Sequence, residues 1–178
     1  MLKDYVNGAP PYLNNFVTGD ETCLYYYDVR SRRKNQKSIR KKMILVFLTV
    51  GILTRIVLES QRTVTASCYI TECLTQVVKQ LKKLRPRSGM DTWYFHHDNA
   101  RPHAARLMQG FLENAGLKLL AQPPYSPDLA PCDFGLFPLV KDKLKGRKFR
   151  TDEELLAAWD QACAELPESK WQDIFNDQ

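Results

Sequence analysis

Three aspartates lie where an apolar pattern gives way to polar residues, and they are the first candidates for chemistry. Asp20 closes the strand-like run NFVTGD, Asp98 comes soon after the apolar run WYF, and Asp133 follows a proline-rich loop where a helical pattern begins. Carboxylate oxygens suit Mg²⁺ and Mn²⁺, and Mg²⁺ is usually held by one or two carboxylates together with phosphate and water. Carboxylates brought together by two strand ends and a helix start can therefore hold divalent cations.

Local sequence alone leaves other roles open for these acids. Asp20 follows Gly19, and Gly-Asp is common turn chemistry. Asp133 falls in the first turn of the predicted helix, where the helix dipole favours an acid by about 0.3–1 kcal/mol. Asp128, which follows a proline in the same loop, is a rival acid that could cap a turn.

Histidines near Asp98 raise the question of a zinc site. The sequence has no Cys-x-x-Cys pair and no histidine pair spaced i, i+4 on a helix, and zinc is therefore disfavoured. His97 or His103 is better suited to support an acidic site or to touch a phosphate. Asn99 and Arg101 can do the same, since the Arg guanidinium forks onto phosphate oxygens.

The segments VTGDET, HHDNARPH and YSPDLAPCDFGLF resemble the three catalytic segments of the mariner-type DNA transposases. These are cut-and-paste enzymes with a ribonuclease-H-like catalytic domain. The family pattern has two aspartates and then a third after a spacer of 34 residues, and 34 residues lie between Asp98 and Asp133. The resemblance runs from about Asn14 to Phe175. It implies that Asp20, Asp98 and Asp133 are the catalytic metal ligands, and it leaves Asp128 a structural role.

The resemblance implies metal-dependent phosphoryl transfer on double-stranded DNA. Two Mg²⁺ or Mn²⁺ ions would activate the attacking oxygen and stabilise the leaving one. Water as the nucleophile gives strand cleavage, and a DNA 3′-hydroxyl gives strand transfer. The alternative is a catalytically inert DNA- or protein-binding domain descended from such an enzyme. Either reading places the protein in the nucleus.

The charge of the chain is unevenly distributed. Residues 151–178 hold eight acids and one base, so the first 150 residues carry 25 bases and 12 acids, a net charge of +13. A basic body of that size attracts polyanions. DNA is the obvious candidate, although charge alone does not separate DNA from RNA or anionic lipid.

Two basic strips are candidate phosphate-contacting surfaces, although each can equally be a solvated face. The stretch 30–42 contains eight bases and no acid, and the second strip follows Asp133. Each phosphate contact would add to the affinity for DNA and to its salt sensitivity. The predicted DNA contacts are Arg30, Arg32, Arg33, Lys34, Lys37, Arg40, Lys41, Lys42, Asn99, Arg101, His103, Lys141, Lys145, Arg147 and Lys148.

Length and composition are those of one globular domain. At 178 residues we expect a loose lead-in over 1–12 and a catalytic domain over 13–178 that ends in acidic helices over 151–176. The longest apolar run, Met43 to Val50, is far shorter than the roughly 20 residues of a membrane span. No signal peptide is predicted, and five cysteines without a Cys-x-x-Cys pair indicate reduced thiols inside the cell.

The periodicity predicts three strands, with a further strand left open, and then the order α-β-α-β-α-α-α. This is the ribonuclease-H-like arrangement, an α/β fold with a mixed sheet flanked by helices, as in the retroviral-integrase-like transposases. The predicted strands are 16–20, Cys23–Val29 as its hairpin partner, 43–50, 52–59, 92–97 and 117–121. The predicted helices are 63–84, 102–115, 132–144, 152–166 and 168–176.

The chain departs from the family pattern in ways that bear on assembly. The family carries a longer insertion in the region of 30–42, which clamps the partner subunit, and Cys23 stands where the family usually has Trp. No segment before Asn14 resembles the family's DNA-reading helix-turn-helix region. We therefore expect a shortened catalytic domain that is monomeric without DNA and nicks DNA rather than joining paired ends.

Overall fold

The computed structural model describes residues 15–30, 35–37, 40–58, 67, 69–87, 89–97, 102–121 and 130–176. Within these ranges the strands are β1 (Phe16–Tyr25), β2 (Asp28–Arg30), β3 (Asn35–Lys37), β4 (Lys41–Leu48), β5 (Ile52–Leu58), β6 (Tyr94–His97) and β7 (Lys118–Ala121). The α-helices are α1 (Thr75–Leu84), α2 (Pro102–Ala115), α3 (Phe137–Leu144), α4 (Asp152–Ala164) and α5 (Glu168–Asn176). A π-helical turn precedes α1 (Tyr69–Leu74) and another precedes α3 (Pro131–Leu136), and a 3-10 turn (Met90–Thr92) precedes β6.

Five strands form one mixed sheet in the order β5-β4-β1-β6-β7. β1 is its central strand, antiparallel to β4 on one side and parallel to β6 on the other. β6 and β7 are also parallel, which requires a crossover connection, and α2 supplies it. From the first helix onward the predicted order α-β-α-β-α-α-α is confirmed. The β2–β3 ribbon is a separate two-stranded sheet within the basic stretch.

The predicted hairpin at Asp20 is wrong, because β1 continues through that position as one strand. β4 pairs with it without interruption from Thr18 to Tyr25, so the ladder satisfies the backbone where a turn was expected. Because Gly19 has no side chain, the Phe47 ring can pack closely against the backbone there. A Cβ atom placed there would lie 2.3 Å from Cδ1 of Phe47. The hydrogen-bond ladder to a strand distant in sequence therefore outweighs the local turn preference of Gly-Asp.

The other elements follow their predicted patterns closely. β4 and β5 form the antiparallel hairpin expected around Gly51, with a register shift between Phe47 and Leu48. α2 has the predicted bounds, and it ends at Gly116, whose φ of +78° favours glycine. α1 with its preceding π-helical turn begins at Tyr69, inside the predicted helix. Residues 59–66 and 68, together with the proline-rich loop 122–129, lie outside the described residues.

Side chains alternate between the two faces of β1 and pack two separate cores. Phe16 and Leu24 point to the face covered by α3, α4 and α5, where Trp159 is fully buried. Val17 points to the opposite face, covered by α1 and α2, where it packs with Phe47 and other apolar residues. Both faces of the central strand are thus covered, which makes β1 a rigid support. No helix in the described part of the chain is long and apolar enough to cross a membrane.

The acidic helix α4 begins with a well-formed cap. The Thr151 side chain accepts a hydrogen bond from the Glu154 backbone N–H at 3.2 Å, and the Glu154 carboxylate accepts one from the Arg150 N–H at 2.8 Å. Three acids in the first turn also complement the positive end of the helix dipole. These contacts fix where α4 starts, and Asp152 takes its position from them.

Candidate active site

Asp20 lies on the central strand, on the face that α3, α4 and α5 cover. It pairs with Val46 of β4 and is half-buried. One oxygen of its carboxylate accepts a hydrogen bond from the Glu21 backbone N–H at 2.6 Å. The strand period of two places Thr18 and Asp20 on the same face. The ladder to β4 therefore holds the backbone that carries this carboxylate.

Asp133 lies in the first turn of the π-helical turn Pro131–Leu136, and its side chain is exposed. Its backbone N–H donates to the Ala130 carbonyl at 2.9 Å. Two residues on, Gly135 packs so tightly on α5 that a Cβ atom there would lie 2.7 Å from Cγ1 of Ile174. The turn that presents Asp133 is thus anchored by the helix packed behind it.

Cys132 connects the two aspartates. It is fully buried, and its Sγ lies 3.9 Å from the backbone carbonyl oxygen of Val46, the ladder partner of Asp20. Burial raises the pKa of the Cys132 thiol well above its usual range, and the charges of Asp20 and Asp133 raise that pKa further. The thiol is therefore neutral. Asp20 and Asp133, which lie 113 positions apart in sequence, are thus both close enough to this thiol for their charges to act on it.

Asp98, the third predicted ligand, lies outside the described residues, as do Asn99 and Arg101. The side chains of His97 and His103 are likewise not described. Among the residues that the structure describes, no group of three or more His, Cys, Asp or Glu side chains could hold a metal ion. The described part of the chain thus contains two of the three predicted aspartates and brings those two to one place.

His96 has a partner that the sequence did not reveal. Its Nδ1 lies 3.0 Å from Oγ1 of Thr18, and both side chains are buried. The His96 ring also packs against Phe16, with ring centroids 5.5 Å apart. The two residues are direct neighbours in the parallel ladder between β1 and β6. The sequence alone does not indicate that Thr18 contacts His96, because this contact depends on the register between β1 and β6.

A groove of about 690 Å³ opens beside Asp133. The basic side chains of Lys141, Lys143 and Lys145 line it, and its apolar wall includes Phe137 and further residues of α3. The second basic strip therefore adjoins the candidate site in space as well as in sequence. Asp28 and Asp142 also line the groove, and the three lysine ammonium groups can contact phosphates that approach the Asp133 carboxylate.

Two of the predicted DNA contacts, Arg40 and Lys42, pair with the same carboxylate within the protein. The Asp152 carboxylate lies 2.8 Å from Nζ of Lys42 and 3.1 Å from a guanidinium nitrogen of Arg40. It also accepts a hydrogen bond from the Tyr26 hydroxyl. The hydrogen bonds from Lys42 and Tyr26 and the two positive charges lower the pKa of Asp152 to about 2. The sequence did not predict these contacts, because Asp152 lies more than 100 positions from Tyr26 and Arg40.

The remaining predicted contacts are distributed as follows. Lys145 pairs with Asp142, and Lys143, a neighbouring base of α3, pairs with Glu165 at 3.1 Å. The ammonium of Lys141 lies 5.5 Å from the ring centroid of Phe137. Arg147 and Lys148 lie over the rings of Phe149 and Tyr27, and Lys41 is exposed. The side chains outside the described residues are those of Arg30, Arg32, Arg33, Lys34 and Lys37.

Comparisons with protein families and with known proteins identify relatives of this chain. Residues 23–156 match the family described as DDE superfamily endonuclease. The chain is 26% identical to the Mariner Mos1 transposase of Drosophila mauritiana over 160 residues, which cover 81% of this chain and 46% of that protein. It is also 26% identical to the human histone-lysine N-methyltransferase SETMAR over 190 residues, covering 95% of this chain and 26% of that protein. The chain therefore spans less than half the length of either relative.

Solved structures show the same fold. The crystal structure of the catalytic domain of Mos1 mariner transposase superposes with a TM-score of 0.77 at 27% identity, covering 98% of this chain and 80% of that one. A pre-cleavage Mos1 transpososome gives a TM-score of 0.78 at 25% identity, covering 98% and 55%. The mixed sheet flanked by helices is thus ribonuclease-H-like, as predicted.

Proposed function

Because the chain belongs to the DDE superfamily endonucleases, in the branch of the mariner-type transposase catalytic domains, we propose that it transfers phosphoryl groups on double-stranded DNA in a divalent-metal-dependent reaction. The proposed ligands are Asp20, Asp98 and Asp133. One observation carries the proposal, the meeting of Asp20 and Asp133 around the buried Cys132. Carboxylates from two distant segments that lie near the same buried side chain can share a divalent cation.

The strand register supports Asp98 as the third ligand. β1 and β6 run parallel with Thr18 beside His96. Asp20 lies two residues beyond Thr18, and Asp98 lies two residues beyond His96. In two parallel strands, residues that lie the same number of positions beyond a ladder pair are expected at the same level of the sheet. The proposal therefore has Asp98 follow β6 next to the middle of β1, which carries Asp20.

The donor set fits Mg²⁺ or Mn²⁺. All three proposed ligands supply carboxylate oxygens, which hard divalent cations prefer. Two bound ions would activate the attacking oxygen and stabilise the leaving oxygen of the phosphodiester. Mos1 has been crystallised as a paired-end complex with Mg and with Mn, which supports the same choice of ion here.

The groove beside Asp133 is the proposed path of a DNA strand. Lys141, Lys143 and Lys145 line it, within the body of the chain that carries a net charge of +13. Neutralising phosphates releases counterions, so the affinity for DNA should fall steeply as salt rises. We also propose that binding is indifferent to sequence, that the chain is a monomer without DNA, and that it acts in the nucleus.

Plasmid nicking tests the activity. Supercoiled plasmid incubated with the purified protein and Mn²⁺ should become nicked, and Asp98→Ala should abolish the nicking. Asp173→Asn is the matched control, because it removes an exposed carboxylate of α5 that pairs with Lys170 and lies outside the proposed site. Equal nicking by the Asp98→Ala variant would remove the proposed role of that residue.

A second candidate function is DNA binding without catalysis. The internal pairing of Arg40 and Lys42 with Asp152, and of Lys143 with Glu165, gives these bases a structural role that needs no reaction. This reading predicts salt-sensitive DNA binding with no Mn²⁺-dependent nicking. Light scattering without DNA checks the monomer proposal at the same time, and a stable dimer mass would contradict it.

A further inference from the structure

We propose that the two basic strips meet in space to form one phosphate-binding surface, and that Asp152 competes with DNA for two of its cations. The inference deepens the proposed function and rests on it, since DNA is the polyanion that this surface would bind. The two cations are Arg40 and Lys42, both in the basic stretch 30–42. Asp152, at the start of α4, is the carboxylate that pairs with them in the structure.

The two strips converge on the segment that follows β1. The Tyr26 backbone N–H donates to the Arg40 carbonyl oxygen at 3.5 Å, and the Tyr26 carbonyl accepts from the Phe149 N–H at 2.9 Å. The next residue, Tyr27, forms a β-bridge with Lys148. Backbone contacts therefore bring the ends of both strips to one place, although more than 100 positions separate them in sequence.

The basic side chains at this meeting place are accessible to a ligand. The Arg40 guanidinium lies 4.0 Å from the centroid of the Tyr26 ring, and 62% of the Arg40 side chain is exposed. A guanidinium stacked on a ring has a fixed orientation, which suits recognition of phosphate oxygens. Lys148 is also exposed, and its ammonium lies over the Tyr27 ring. Lys148 follows three residues after Lys145, so the surface continues from the groove of the candidate site.

Asp152 takes the place at this surface that phosphate oxygens would take. Its carboxylate lies 2.8 Å from Nζ of Lys42 and 3.1 Å from a guanidinium nitrogen of Arg40, and it accepts a hydrogen bond from the Tyr26 hydroxyl. Two cations and a hydroxyl group are also the donors that proteins use to bind phosphate. The carboxylate therefore holds cations that would otherwise be available to DNA.

The exposure of the partners makes the exchange feasible. The Asp152 side chain is 33% exposed, and ion pairs that water reaches contribute little to stability. A phosphate that replaces the carboxylate also releases counterions from the DNA, which favours the exchange at low salt. Arg40 is 62% exposed and Lys42 only 15%, so Arg40 is the cation that a phosphate reaches first.

Fluorescence anisotropy with a short labelled DNA duplex and no divalent metal measures this competition. Asp152→Asn keeps the shape of the side chain and removes its charge, and it should raise the affinity for DNA about fivefold at low salt, because Arg40 becomes available to a phosphate. The slope of log affinity against log salt should steepen by about 1, which corresponds to one added phosphate contact. Glu153→Gln is the matched control, because it removes the same charge from the neighbouring, exposed position of α4.

Glu153→Gln should bind DNA within about twofold of the wild type, with an unchanged salt slope, since an exposed charge is screened. An equal gain in Glu153→Gln would overturn the inference, because net charge alone would then explain the effect. Wild-type binding without a gain in Asp152→Asn would overturn the inference and leave the proposed DNA binding intact. If neither the wild type nor Asp152→Asn binds the duplex, the proposed DNA binding fails as well.

A double-mutant cycle with Arg40→Gln tests whether the gain depends on that guanidinium. In the Arg40→Gln background, adding Asp152→Asn should raise the affinity for DNA only about twofold or less, since the largely buried Lys42 alone remains to be released. A gain that stays near about fivefold in this background would overturn the inference.

Lys148→Gln tests whether the second strip belongs to the same surface. It should weaken DNA binding about threefold and reduce the salt slope by about 1, because one phosphate contact is lost. Lys79→Gln is the matched control, since it removes an exposed base of α1, which covers the other face of the sheet. Affinity and slope should be unchanged in Lys79→Gln. Equal losses in the two variants would overturn the single surface, because they would report only the net charge of the chain.

Discussion

The two faces of the five-stranded sheet are stabilised in different ways. The face covered by α1 and α2 is packed with apolar side chains, among them Phe47 and Phe95, whose ring centroids lie 6.3 Å apart. The face covered by α3, α4 and α5 also has an apolar core, but polar residues of β1 interrupt it. Its rim carries ion pairs to α4, such as that between Arg55 and Asp160. Both faces therefore carry an apolar core, and Asp20 of the proposed site lies on the face covered by α3, α4 and α5.

The central strand shows how the division arises. On one side of β1 the side chains run from Phe16 through Thr18, Asp20 and Thr22 to Leu24. Three polar residues therefore stand between two apolar anchors on the face of the proposed site. The other side includes Gly19, where the missing side chain lets Phe47 approach closely. The polar residues leave fewer apolar contacts on that face of β1, whereas the opposite face is packed closely at Gly19.

The largest effect is expected from Phe47→Ala, which removes a fully buried ring from the face opposite the site. The free energy of unfolding should fall by about 3–5 kcal/mol, through lost transfer energy and a residual cavity. Urea denaturation measures this loss. The folded variant should still bind Mn²⁺ within about twofold of the wild type, since Phe47 lies behind the strand rather than beside Asp20. A tenfold loss of Mn²⁺ affinity would show that the two faces are not separable.

An intermediate effect is expected from Asp152→Asn at the rim of the site face. The side chain is 33% exposed, so solvent screening limits the loss in unfolding free energy at pH 7 to about 1 kcal/mol. The folded-state pKa of Asp152 is lowered from 3.8 to about 2, so its contribution is present above pH 4 and is lost as the pH falls towards 2. Denaturation of both proteins between pH 7 and pH 3 should therefore show a shrinking difference. A difference that stays constant would contradict the ion-pair account.

The smallest effect is expected from Asp160→Asn. Asp160 accepts two hydrogen bonds from Arg55, at 2.9 and 2.7 Å, but its side chain is 55% exposed. Removing the pair should cost about 0.5 kcal/mol of unfolding free energy at low salt, and the cost should vanish near about 1 M salt because exposed charges are screened. Denaturation at the two salt concentrations measures it. A cost above that of Asp152→Asn would reverse the ranking of the two rim contacts.

Local patterns in the sequence predicted the order of the elements well. The bounds of α2 and its end at Gly116 follow from a helical apolar period and a residue that adopts positive φ. The turn at Asp20 was mispredicted because Gly-Asp is a local signal, whereas the β1–β4 ladder joins residues distant in sequence. The local pattern therefore predicted the bounds of α2 correctly. It failed at Asp20, where pairing between strands distant in sequence determines the backbone conformation.

The candidate site shows the same limit. The types and spacing of the acids, together with a family resemblance, predicted Asp20 and Asp133, which the structure brings together. Cys132 as their common neighbour and Thr18 as the partner of His96 depend on register and packing. The engagement of Arg40 by Asp152 likewise requires the position of α4 relative to the sheet. These contacts have no local signature, so a single sequence does not reveal them.

The central claim is that carboxylates from separate elements form one cation site, and calorimetric titration with Mn²⁺ tests it most directly. Asp20→Asn and Asp133→Asn each remove one charge from a different element, so each should weaken Mn²⁺ binding at least about tenfold. Asp173→Asn, which removes an exposed carboxylate of α5, should bind like the wild type. If Asp20→Asn and Asp133→Asn both bind Mn²⁺ as tightly as the wild type, the two aspartates do not form a cation site.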